Sequence, residues 1–290
     1  MLIKVFSTVF PVFAIIGLGY AYGRIKKPDL AFANQINMDI FIPALVFFVL
    51  SGKNFDLLQY QWLALAGAAV ILLPGLLAWP FASIAKASPK TFIPPMMFNN
   101  SGNMGLPLAI LAFGEHALAA AVVLFIVEMT LHITVGIYML DRRSSFWRIL
   151  RMPMMIATIA GLVFSVMKWE LPLAVHVPME MLSQVSIPLL LFSLGVRLVD
   201  VDLRDWRAGA VGAVICPLTG ILAALPFIYL LPLTELQTSL LLVFAALPPA
   251  VMNYVIAEQY NQEPRKVASI VLLGNLAAII TVPAMVAYVL

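Results

Sequence analysis

The chain has 290 residues, 63% of them hydrophobic and only 11% charged, with a mean hydropathy of +1.02. A soluble domain carries about 25% charged residues, so the composition excludes a water-soluble fold and points to a polytopic membrane protein. The net charge of +3 is no nucleic-acid signal, because the basic residues are spread over short connections, and the single cysteine, Cys216, excludes an intrachain disulfide or a paired-cysteine metal site.

A helix needs about 20 apolar residues to cross a bilayer. Ten such runs follow one another, at roughly 5–24, 36–52, 62–85, 91–113, 117–139, 153–169, 177–197, 208–231, 236–260 and 266–289. The first reads as a retained span: its basic cluster Arg24, Lys26 and Lys27 follows the apolar run, where a cleavable signal would have it in front. The second is shortened by Asn37 and Asp39. The connections after the odd-numbered spans hold 14 of the 17 basic residues, leaving Lys4, Lys53 and Lys168 for the other side. Basic residues favour the cytoplasmic side, so ten spans with both termini outside are expected. Trp62, Trp147, Trp169 and Trp206 fall near span ends, as interface anchors do.

Two spans are interrupted. Span four contains Met97-Phe98-Asn99-Asn100-Ser101-Gly102-Asn103-Met104-Gly105-Leu106-Pro107, and span nine contains Ala246-Leu247-Pro248-Pro249-Ala250-Val251-Met252-Asn253. A backbone that stops being helical in lipid leaves polar groups unpaired, at several kcal/mol each, and survives only inside protein or beside a water-filled cavity. Matching interruptions in two halves point to a transporter's binding site.

The halves also match in detail. A shift of 145 residues brings Ile42-Pro43 onto Ile187-Pro188, Gly67-Ala68 onto Gly212-Ala213, Gly75 onto Gly220, and the first break onto the second. Five spans per half is an odd number, so the second half inserts upside down, an inverted-topology repeat. The expected fold is an all-α polytopic membrane protein of ten transmembrane helices. Residues 1–140 form the first repeat, 141–152 a cytoplasmic loop and 153–290 the second repeat.

Ten spans in two inverted halves, with NNSGNMGLP in span four and LPPAVMN in span nine, resemble the auxin efflux carrier family in its compact prokaryotic form. The resemblance covers essentially the whole chain. It implies the fold shared with bile acid:sodium symporters, in which broken helices four and nine cross at the membrane centre. It also implies a scaffold of helices 1, 2, 6 and 7, a moving bundle of helices 3–5 and 8–10, and carriage of a small organic anion such as a mono- or dicarboxylate. The short centre favours a prokaryotic inner membrane, and a homodimer fits the family.

The residues give the crossing a logic of their own. A helix restarted in mid-membrane exposes free N–H groups and about half a positive charge. Pro107, Pro248 and Pro249 each remove a donor, and Gly102 and Gly105 let the backbone approach a ligand. Asn99, Asn100, Asn103 and Asn253 offer donors and acceptors, with Ser101 beside them. In span five, Glu128 and His132 lie one turn apart on one face. An ionisable group at that depth costs at least ~2.5–3.5 kcal/mol unless paired or hydrated, so the pair is a candidate for proton coupling, or else a lock between helices. Asn275, Ser269 and Thr130 are flanking candidates, and Asp39 and Glu258 candidate inner-gate residues.

Motifs for zinc hydrolysis, serine hydrolysis or nucleotide binding do not occur in the sequence. The expectation is a secondary transporter, with no cofactor or metal and with H+ or Na+ as coupling ion where one is used. The alternatives are a sodium-coupled symporter of bile-acid type and a non-transporting membrane sensor or scaffold.

Overall fold

The computed structural model describes residues 2–52, 55–141, 150–199 and 205–290. Most of the expected cytoplasmic loop (142–149, with Arg142, Arg143, Trp147 and Arg148), Lys53 and Arg204 lie outside the described residues.

The described residues form thirteen helices. They are α1 (Leu2–Lys26), α2 (Ala31–Leu50), α3 (Leu57–Leu77), α4 (Phe81–Ile84), α5 (Pro89–Met97), α6 (Ser101–Phe113), α7 (Glu115–Leu140), α8 (Pro153–Met167), α9 (Leu173–Arg197), α10 (Trp206–Leu230), α11 (Glu235–Ala245), α12 (Met252–Gln259) and α13 (Pro264–Val289). Six of them, α2, α3, α7, α9, α10 and α13, are long and apolar enough to cross a membrane, and α6, α8 and α11 are shorter apolar helices. At 1.5 Å per residue, about 20 residues reach the ~30 Å of a hydrocarbon core.

Local chemistry sets the ends. Pro89, Pro153 and Pro264 sit in the first turns of α5, α8 and α13, where a missing N–H costs nothing. Thr234 and Gln237 form a capping box at the start of α11. Three helices contain a π-helical turn: Asn37–Phe41 in α2, Ser101–Gly105 in α6 and His132–Gly136 in α7.

α1 packs on α9, and α2 on α8 and α9; α10 packs on α13 and α3, and α3 on α7. The broken pairs α5/α6 and α11/α12 lie in the interior. Phe92, Phe98, Met104, Leu106 and Leu108, all from the first broken pair, are among the most deeply buried large side chains. Apolar residues such as Leu76, Val166 and Ile280 point outward, as a lipid-facing surface requires. The ends carry exposed tryptophans, Trp62, Trp169 and Trp206.

Candidate functional site where two broken helices cross

α5 stops at Met97, where Phe98 turns extended (φ −96°, ψ 99°). The chain restarts at Ser101 with a π-helical turn in which both the Met104 and the Gly105 N–H donate to the Asn100 carbonyl, each at 3.1 Å. α11 stops at Ala245, and Pro248 and Pro249 separate it from α12. The two gaps lie against each other as an antiparallel bridge between Asn99 and Pro249. The Asn100 N–H donates to the Pro248 carbonyl (2.7 Å), and the Ala250 N–H to the Phe98 carbonyl (2.9 Å). The prolines contribute only acceptors, so the pairing uses the groups they retain.

Asparagine amides add further bonds to carbonyls at the breaks. Asn99 Nδ2 donates to the Phe244 carbonyl (2.6 Å), at the end of α11. Asn253 Nδ2 donates to the Phe98 and Ala250 carbonyls (2.8 and 3.0 Å). Asn275 Nδ2, from α13, donates to the Pro249 and Val271 carbonyls (3.1 and 2.7 Å), while its Oδ1 accepts from Asn100 Nδ2 (3.1 Å). An unmet buried carbonyl costs about 1–3 kcal/mol, so these amides hold the crossing together.

A cavity of about 170 Å³ lies beside the crossing. Its wall takes Asn99, Asn100, Gly102 and Asn103 from the first break, and Ala250, Val251 and Met252 from the second. α7 adds Glu128 and His132, α2 adds Asn34 and Asn37, and α9 adds Ser193 and Arg197. All three π-helical turns thus reach this one cavity, and such turns gather at functional sites. Glu128 and His132 are buried, with His132 Nδ1 3.1 Å from Glu128 Oε1. Ser101 Oγ donates to Glu128 Oε2 (3.0 Å), and the imidazole stacks on Phe98 with ring centres 4.2 Å apart. Asn37 Oδ1, Asn99 Oδ1 and Ser193 Oγ are buried without a hydrogen bond to described residues.

Of the residues singled out from the sequence, Asn99, Asn100, Asn103, Glu128 and His132 meet at the cavity wall. Ser101 reaches it only through Glu128. Gly105 packs on Phe244 and Leu247, Pro107 is buried in α6, and Pro248 and Pro249 form the bridge behind the wall. Asn253 lines a smaller neighbouring cavity. Ser269 donates to the Asp205 carbonyl and Thr130 to Met155 Sδ, so neither faces the site. Arg197 escaped the sequence reading, where it counted only as a loop charge. Its cue was Ser193 one turn earlier, on the same helical face. Glu258, an expected gate residue, lines a 580 Å³ cavity that shares Arg197, Val251 and Val255 with the first.

A membrane protein whose described residues are helical, and whose paired chain breaks border a cavity walled by Asn99, Asn100, Asn103, Glu128 and Arg197, has the architecture of a carrier. The family described as "Membrane transport protein" matches residues 142–286, and the chain belongs to that family. Among curated relatives, a Rhizobium meliloti (strain 1021) protein named a putative malonate transporter is 26% identical, over 96% of this chain and 94% of the relative. An uncharacterized transporter of Methanocaldococcus jannaschii is 23% identical, over 95% of this chain and 96% of the relative. The chain is a multi-pass membrane transporter.

Proposed function

We propose that this transporter is a secondary carrier for a small organic anion, working by alternating access with the substrate held beside the crossing. The observation that carries this reading is the back-to-back pairing of two chain breaks against a cavity whose wall holds Asn103, Glu128, Ser193 and Arg197. Asn103, Ser193 and Arg197 supply donors for a carboxylate, while Asn99, Asn100 and Asn253 hold the frame. Glu128 and an anionic substrate repel each other within one small cavity. A proton taken up by the Glu128–His132 pair removes that repulsion, so proton and anion binding favour each other, and H+ is the coupling ion of this proposal.

The inverted repeat of ten spans belongs to the same proposal, with both termini outside a prokaryotic inner membrane. Several contacts support it. Asn99 bonds Phe244, a residue 145 positions on, and residues related by a two-fold meet only near its axis. A Cβ on Gly75 would meet Met97 at the end of α5, and one on Gly220 would meet Ala245 at the end of α11. Gly67 faces Leu124 of α7 as Gly212 faces Ile270 of α13. The α1–α9 contact has its mate in α8–α2, and the α3–α7 contact in α10–α13. The first set makes the scaffold and the second the moving bundle.

Counterflow in proteoliposomes with labelled mono- and dicarboxylates, malonate first, tests the function. Wild type should exchange at least one acid, and Asn103→Ala should lose that flux while remaining folded. Folded wild-type protein that exchanges none of the acids would overturn the reading.

A further inference from the structure

His132 borders more than the main cavity. The same residue lines a second cavity of about 10 Å³, enclosed by α5, α7, α12 and α13. That is about one probe sphere, the least a water requires, and a water there needs two to four polar partners. The walls supply two of them in His132 and Asn253, while the Thr91 hydroxyl in the same wall is committed to Glu263, Ser88 and Gln262. Asn253 Oδ1 is buried and holds no hydrogen bond to described residues, because its amide nitrogen is committed to the Phe98 and Ala250 carbonyls. On the outer side the cavity meets Lys90, which is exposed.

We propose that this cavity holds a water joining His132 Nε2 to Asn253 Oδ1, and that it is the proton port of the Glu128–His132 pair. The inference rests on the coupling role given to that pair above. The port opens on the face that carries Lys86, Lys90, Arg265 and Lys266. Substrate uses a different opening, past Arg197, Val251 and Val255 into the 580 Å³ cavity. In this conformation the pair therefore reads the pH of one face whether or not substrate fills the main cavity.

The proton balance is simple. The water gives a proton to Nε2, and the Nδ1 proton passes to Glu128 Oε1. An O–H bond breaks as the Nε2–H bond forms, and the Nδ1–H bond breaks as a carboxyl O–H forms. A proton from bulk solution restores the water. The imidazole ends neutral with its tautomer exchanged, and the carboxylate ends as a neutral acid. Release reverses each transfer and restores the tautomer. Among the described residues, the charged groups that share a cavity wall with the pair are Lys90 from α5 and Arg197 from α9. Ser101 donates to the other Glu128 oxygen.

Infrared difference spectroscopy on the full chain in lipid tests the port. The readout is the protonated-carboxyl band that Glu128→Gln removes, followed after a switch from H2O to D2O buffer. Ala257→Val fills the small cavity from α12, and Leu140→Phe covers it from α7; the two variants keep the test open if one fails to fold. Each should slow exchange of the band by about tenfold or more, equivalent to about 1.4 kcal/mol on the barrier. Saturating the main cavity with the acid identified by counterflow should leave wild-type exchange unchanged. Unslowed exchange in a folded variant, exchange blocked by the bound acid, or a wild-type spectrum lacking the band would each overturn the port. A slowed variant beside a wild type that carries no acid would sustain the port and sink the carrier reading alone.

Discussion

Asn99, Asn100, Asn253 and Asn275 spend their amide nitrogens on the protein, chiefly on carbonyls at the helix breaks. Asn103 makes no such bond to described residues and borders the cavity. The asparagines therefore divide into a frame and a contact, and substitution should separate them. Asn253→Ala removes the second donor from the Phe98 and Ala250 carbonyls, which keep their backbone donors, so it should cost about 0.5–1.5 kcal/mol for each lost bond, read as a lowered unfolding temperature in detergent. Asn103→Ala should stay within about 0.5 kcal/mol of wild type and lose flux instead. The sequence placed polar residues on the break but could not assign their partners, which lie 145 to 175 positions away. Arg197 was missed for a related reason: a charge at a helix end reads as a loop anchor until the fold shows what it borders.

At the level of elements, the breaks were legible because proline, glycine and asparagine oppose helix in an otherwise apolar run. The π-helical turns were not, since one extra residue per turn leaves little trace in a 3.6-residue pattern. Gly220 and Gly75 show what the paired glycines do. A Cβ on Gly220 would collide with the Ala245 carbonyl oxygen, whereas one on Gly75 would meet the flexible Met97 side chain at 2.7 Å. Gly220→Ala must displace the end of α11 and should destabilise by about 1–3 kcal/mol or more, while Gly75→Ala should cost less. A second element-level device joins the starts of α5 and α13. Glu263 accepts from the Ser88 N–H (3.1 Å) and Thr91 Oγ1 (2.6 Å) and pairs with Lys266. Burial raises its carboxyl, but the bonds from Lys266, Thr91 and Ser88 outweigh that and hold it at about 2, below its ordinary 4.5. A depressed carboxyl stabilises the fold above its unfolded value and loses that contribution as pH falls through the folded one. The stability gap between wild type and Glu263→Gln should therefore be full at pH 5–7 and close between about 4.5 and 2, measured as unfolding temperature against pH.

For the whole molecule, the apolar runs placed nearly every helix, because length and hydropathy are dictated by the bilayer. The interior could not be read that way: which helix faces which depends on side chains meeting across the two halves. The arrangement proposed here fixes the side of each connection. Basic residues cluster after the odd-numbered spans, so the proposal puts the α8–α9 connection outside and the α12–α13 connection inside. The native Cys216 is buried, which leaves a quiet background for single-cysteine labelling. Glu170 and Gln259 are exposed at those two connections. In intact bacterial cells, Glu170→Cys should react with a membrane-impermeant maleimide, and Gln259→Cys should react only after lysis. The reverse result would turn the molecule over in the membrane and place the proposed proton port outside. Labelling of both from one side would break the alternation, and an inverted repeat with an odd number of spans per half could not stand.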